Sequence, residues 1–102
     1  MSALTEYEDD TTTGYVFNGI EVESRFLSAL RRYADHYIEA GGFLTACLRN
    51  DLREAVGRAD PSAMIQIPAI VAFIYNELPG TCWGSPERVD EWLARRFAEV
   101  SP

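Results

Sequence analysis

Asp60-Pro61-Ser62-Ala63-Met64-Ile65-Gln66-Ile67-Pro68-Ala69-Ile70-Val71-Ala72-Phe73-Ile74-Tyr75 reads as one capped helix that is apolar on nearly every side. Asp60 stands where a helix N-cap belongs, and Pro61 falls at the first helical position, where its missing N–H has no intrahelical partner to lose. Ile67, Ile70, Val71, Ile74 and Leu78 form the main stripe, while Ile65, Ala69, Ala72 and Phe73 cover the other side. Eleven of the thirteen residues from Ala63 to Tyr75 are apolar, a run well short of the roughly 20 residues that a membrane span needs. The pattern predicts a buried central helix, or one whose second face meets another subunit. A homo-oligomer, in its simplest form a dimer, is expected, with Ile65 and Phe73 outside the intramolecular stripe. The rival is a monomer whose central helix is wrapped by the other helices and by Tyr15 and Phe17. Pro68 removes a backbone donor and crowds the Met64 carbonyl, which predicts a kink, or a break after Gln66 or Ile67.

Working outward, Phe26, Leu27, Leu30, Tyr33, Ala34, Tyr37 and Ile38 share one broad side of a helix expected over Glu21 to Ala40 and stopped by Gly41 and Gly42. A second helix carries Leu44, Leu48, Leu52, Ala55 and Ala59 in a stripe, with Val56 beside it. Beyond the central helix, Leu78-Pro79-Gly80 makes a turn, and Ser85-Pro86-Glu87 opens a last helix striped by Val89, Trp92, Leu93, Phe97 and Val100. The fold class expected is mainly α: a compact bundle of about four helices over residues 21–100, preceded by an acidic N-terminal arm over residues 1–20. Within that arm Gly14 to Gly19 has aromatic and β-branched content between turn residues, as a short hairpin or a docked strand would.

A chain of 102 residues, 47% hydrophobic, suits one domain. Its net charge is −7, and all nine cations are Arg. That balance disfavours direct nucleic-acid binding, which needs phosphate neutralisation. The acidity is local: Glu6, Glu8, Asp9, Asp10, Glu21 and Glu23 stand in the first 24 residues without one Arg, leaving −1 for the remainder. Met1 to Asp10 carries acid in place of the basic and apolar blocks of a secretory signal, so a cytoplasmic protein with reduced thiols and no membrane contact is expected. Cys47 and Cys82 form no CxxC pair, and with His36 as the only histidine neither a structural metal nor another cofactor is expected.

No nucleophile, base and orienting acid can be read together, so an enzyme is not expected. His36 falls on the polar side of its helix, as a solvated histidine would, and Gly41-Gly42 lacks the length and the Lys of a phosphate loop. Asp51 falls at the edge of the second helix's apolar stripe and Arg96 within the stripe of the last helix, which predicts a buried ion pair between them. The functional alternative places Asn50 and Asp51 in a pocket, with Glu54 as a second acid. Arg49, Arg53 and Trp83 suit anion recognition and stacking, and equally a solvated Arg face with a Trp covering the end of the bundle. The two cysteines show no activating neighbour and are expected to be inert.

The run from Gly42 to Ala55 (GFLTACLRNDLREA), followed by Arg58-Ala59-Asp60, Tyr75-Asn76-Glu77-Leu78-Pro79 and Trp83-Gly84-Ser85-Pro86, resembles small proteins encoded by bacteriophages and prophages. The likeness covers roughly residues 37–93 and transfers no active site. It implies a phage accessory protein in an infected or lysogenic bacterial host, for which countering bacterial defence is the expected role. One expectation is an inhibitor that binds a host protein, with Glu8, Asp9 and Asp10 of the arm engaging a basic surface by complementary charge. The other is an oligomeric sponge that sequesters a nucleotide immune signal, using Arg49 and Arg53 for phosphate and Trp83 for the base.

Overall fold

In the computed structural model, residues 14–100 are described, with side chains through residue 97. The order is β1 (Tyr15–Phe17), β2 (Ile20–Val22), α1 (Ser24–His36), α2 (Gly42–Leu48), α3 (Leu52–Arg58), α4 (Pro61–Glu77), a 3-10 turn (Gly80–Cys82) and α5 (Pro86–Val100). The fold is mainly α, with five α-helices in place of about four and one two-stranded antiparallel sheet among the described residues.

The N-terminal hairpin forms because Asn18 (φ 52°) and Gly19 (φ 80°) accept the left-handed backbone of a two-residue turn. Tyr15 then pairs with Val22 and Phe17 with Ile20. Since Ile20–Val22 belong to this ladder, α1 begins at Ser24 and not at Glu21, and β2 straddles the expected boundary at residues 20 and 21. The hairpin packs on α4. There the Tyr15 ring meets Phe73 edge-on at 5.1 Å, and Asn76 Nδ2 donates to Tyr15 Oη at 3.1 Å. Phe73 is consequently buried, contrary to its expected place outside the stripe, whereas Ile65 is exposed as expected.

The first helix ends before Gly41-Gly42. Tyr37 turns left-handed (φ 59°) and its N–H returns to the Tyr33 carbonyl at 3.1 Å. That geometry sets the Tyr37 ring against Trp92 at 5.3 Å, and packing, not glycine, chooses the stop. Gly41 (φ 93°) serves instead as the N-cap residue of α2.

The expected second helix is two. After Leu48 the Asn50 backbone goes left-handed (φ 64°), the Asn50 N–H returns to the Cys47 carbonyl at 3.1 Å, and the Asp51 N–H to the Ala46 carbonyl at 2.9 Å. This is a Schellman ending with Asn in the position glycine usually takes. Asp51 at once caps α3, accepting from the Glu54 N–H at 3.2 Å. The reversal turns Leu52 out of the stripe, leaving it 66% exposed. Asp51→Ala should lower stability by about 1 kcal/mol, the usual value of a cap, as measured by denaturant unfolding.

Pro68 lies inside α4 without splitting it, so the expected break does not occur. Pro68 is on the solvent side, where water can serve the Met64 carbonyl that it leaves without a donor, and buried Ile67, Ala69 and Ile70 hold the turns around it. Asp60 caps the helix as expected, accepting from the Ala63 N–H at 2.7 Å.

The core gathers Leu27, Leu30 and Tyr33 of α1, Leu48 of α2, Ile70 of α4 and Val89 of α5. Two buried hydrogen bonds tie its periphery: Tyr33 Oη donates to the Cys82 carbonyl at 2.7 Å, and Trp92 Nε1 to the Tyr33 carbonyl at 3.0 Å. Ser85 caps α5, accepting from the Arg88 N–H at 3.2 Å. Phe97, expected in the apolar stripe of that helix, is instead 73% exposed, at the rim of an open groove shared with Tyr37 and Ile38.

A polar latch joins the hairpin to the start of α4. Gln66, only 5% exposed, accepts from the Glu23 N–H at 2.8 Å and donates through Nε2 to the Glu23 carboxylate at 2.8 Å. Ser62 and Arg25 also donate to that carboxylate. Hydrogen bonds from Ser62, Arg25 and Gln66, in that order, hold the Glu23 carboxyl at about 2, below the ordinary 4.5. A depressed carboxyl contributes stability that is present above the ordinary value and lost as pH falls through the folded one. Stability measured by denaturation should therefore decline between pH 4.5 and about 2, less steeply in Glu23→Gln than in wild type.

Candidate functional site

Two surfaces stand out, one polar and concave, the other apolar and convex. The first is a cleft of about 380 Å³ between α2, α3 and α5, lined in part by Glu39, Thr45, Arg49, Asp51, Glu54 and Asp90. Half of its six charged side chains are already engaged. Asp51 caps α3, and Arg58 at its margin donates to Glu54 at 2.6 Å. With four acids against two guanidiniums it is a poor host for a phosphate.

Of the expected binding residues this cleft unites Arg49 and Asp51 but not Arg53 or Trp83. Asn50 serves the chain reversal. Trp83 is half-buried against Tyr75 at 5.6 Å, with Nε1 donating to the Leu78 carbonyl at 3.4 Å, so it covers one end of α4. The buried Asp51–Arg96 pair does not form. Both side chains are exposed, because the Asn50 reversal makes Asp51 a cap and Arg96 lies with Tyr37, Ile38 and Phe97 along a separate groove. Glu8, Asp9 and Asp10 lie outside the described residues.

His36 is exposed at the last turn of α1. Burial pushes the Cys47 and Cys82 thiols up to about 11, so both keep their protons at neutral pH and are poor nucleophiles. Among the described residues no His, Cys, Asp and Glu cluster is arranged to hold a metal ion, and no helix is long and apolar enough to cross a membrane.

The second surface is the outward side of α4. Ile65 (66% exposed), Pro68, Val71 and Tyr75 (69%) follow one another at three- and four-residue intervals, with Met64 beside them. They make one continuous apolar ridge of the helix. Large apolar patches on a small protein usually mark contact with another macromolecule. Of these residues only Ile65 was expected to face outward. The i, i+3, i+4 spacing of the others was present in the sequence, but so was an equal stripe on the opposite side. Compared with known protein families, with curated proteins and with solved structures, the chain has no match.

Proposed function

We propose that this chain is a non-enzymatic accessory binding protein, of the phage or prophage kind it resembles, that inhibits a bacterial defence or regulatory protein by covering part of its surface. The observation that carries the reading is the exposed apolar side of α4, on a chain whose most enclosed polar groups are engaged in caps and interhelix hydrogen bonds. Such a surface suits a folded protein better than a nucleotide, which asks for cations and a stacking ring in one place. The acidic first 13 residues would add attraction at a distance toward a basic partner.

The test is capture from a bacterial lysate, followed by assay of the purified captured polypeptide. Wild type should retain a host polypeptide and reduce its activity, and Ile65→Asp should do neither while keeping wild-type helicity. Deleting residues 1–13 should slow association and flatten its salt dependence, with the complex still forming. Recovery of a nucleotide, lost on Arg53→Ala or Trp83→Ala but not on Ile65→Asp, would overturn the inhibitor in favour of the sponge.

A further inference from the structure

The β-hairpin keeps its backbone hydrogen bonds to itself. Tyr15–Phe17 and Ile20–Val22 pair with each other, and among the described residues no backbone hydrogen bond runs from residues 14–22 to a helix. The hairpin can therefore leave α4 without breaking a ladder or a helical turn. Side chains hold it at two places. At one, the Tyr15 ring meets Phe73 and its hydroxyl accepts from the exposed Asn76 amide. At the other, Val22 enters the core at 1% exposure, and the chain passes directly into Glu23.

Glu23 is both the junction and the fastening. Its backbone is extended (φ −61°, ψ 145°) between β2 and α1, and its carbonyl accepts from the Phe26 and Leu27 N–H groups at 3.0 and 3.2 Å, which starts the helix. Its carboxylate occupies the N-cap position yet accepts no N–H of α1. It reaches across to Ser62 and Gln66 of α4 instead, and Gln66 also receives the Glu23 N–H. One extended residue thus carries every polar tie between the end of the hairpin and α4, and rotation about it moves the hairpin while α1 keeps its start.

We propose that the hairpin is a cover that opens from α4 as one unit, pivoting at Glu23, and that the hydrogen bonds of Glu23 to Ser62 and Gln66 are the latch that holds it shut. Segments fastened by few buried contacts and by side-chain bonds open well below the free energy of global unfolding. The open form returns Phe73, 5% exposed when covered, to solvent together with Tyr15 and Val22. This device is independent of the inhibitor reading, which uses the outward side of α4. A partner that engaged Phe73 would have to select the open form.

Thiol labelling of the full chain tests the opening, read by mass spectrometry after digestion, with circular dichroism to confirm that each variant folds. In a Cys47→Ser background, Val22→Cys puts a thiol on the inner side of the hairpin. Cys82, 0% exposed in the turn after α4, reports global unfolding in the same molecule. With reagent dilute enough that reclosing outpaces reaction, position 22 should react at least about tenfold faster than Cys82. Equal rates would overturn a separate opening. Adding Val89→Ala, which weakens the α5 core, should speed Cys82 and leave position 22 unchanged, because α5 stays packed when the hairpin opens. Acceleration of both alike would mean that position 22 is reached only by global unfolding. Adding Glu23→Ala or Gln66→Ala should each speed position 22 by roughly tenfold, and the two together by less than the product of the single effects. No acceleration in either, or a full product in the pair, would overturn the latch.

Discussion

Trp92→Ala should lower stability by about 3 to 5 kcal/mol, the range for removing a large buried aromatic. Trp92 is 6% exposed, touches the Tyr37 ring at 5.3 Å and carries the Arg95 guanidinium over its face at 4.2 Å. Its indole N–H also fixes α5 to the end of α1 through the Tyr33 carbonyl. The components separate in Trp92→Phe. There the Tyr33 carbonyl keeps the Tyr37 N–H as its donor, so no buried acceptor is orphaned. That variant should lose only about 1 to 2 kcal/mol, chiefly one hydrogen bond and some volume. Urea unfolding followed by circular dichroism measures both. For a domain whose total stability is of the order of 5 to 15 kcal/mol, the alanine variant should be partly unfolded at elevated temperature. Equal losses in the two variants would mean that the hydrogen bond, not the ring, carries the contact.

Ile70→Ala should cost about 2 to 5 kcal/mol, whereas Ile65→Ala, five residues earlier on the same helix, should change stability by less than about 0.5 kcal/mol. Ile70 is wholly buried, so truncation leaves a cavity whose lining loses its contacts. Ile65 already faces solvent, and alanine there also has the better helix propensity. Urea unfolding at low protein concentration measures both values. Similar losses at the two positions in dilute solution would contradict the orientation of α4.

Local signals accounted for the caps at Asp60 and Ser85, the Asn18-Gly19 turn and the polar placing of His36, since each depends on residues adjacent in the chain. The apolar run Ala63 to Tyr75 was legible as a helix, and even its double-sidedness was plain. Periodicity alone could not say which side the hairpin would take. Tyr15 settled that by reaching Phe73 from 58 residues away, and so assigned Phe73 to the core and left Ile65, Val71 and Tyr75 outside. The candidate site was hidden for the same reason, because an exposed apolar stripe looks like a core stripe until its neighbours are placed. Asp51 shows the converse. Its position on an unbroken helical wheel pointed inward, but a single left-handed Asn50 reset the phase, making it a cap and stranding Leu52 in solvent.

Helix content, charge distribution and the capped apolar helix α4 were legible in the sequence itself, through short-range hydrogen bonding and hydrophobic spacing. The end of α1 at Tyr37, the continuity of α4 through Pro68 and the choice of its exposed side were decided only by tertiary structure. Those outcomes depend on which distant groups come to cover each backbone turn and each apolar face: Trp92 on Tyr37, the core into which Ile67, Ala69 and Ile70 are buried, and the hairpin ring of Tyr15 on Phe73.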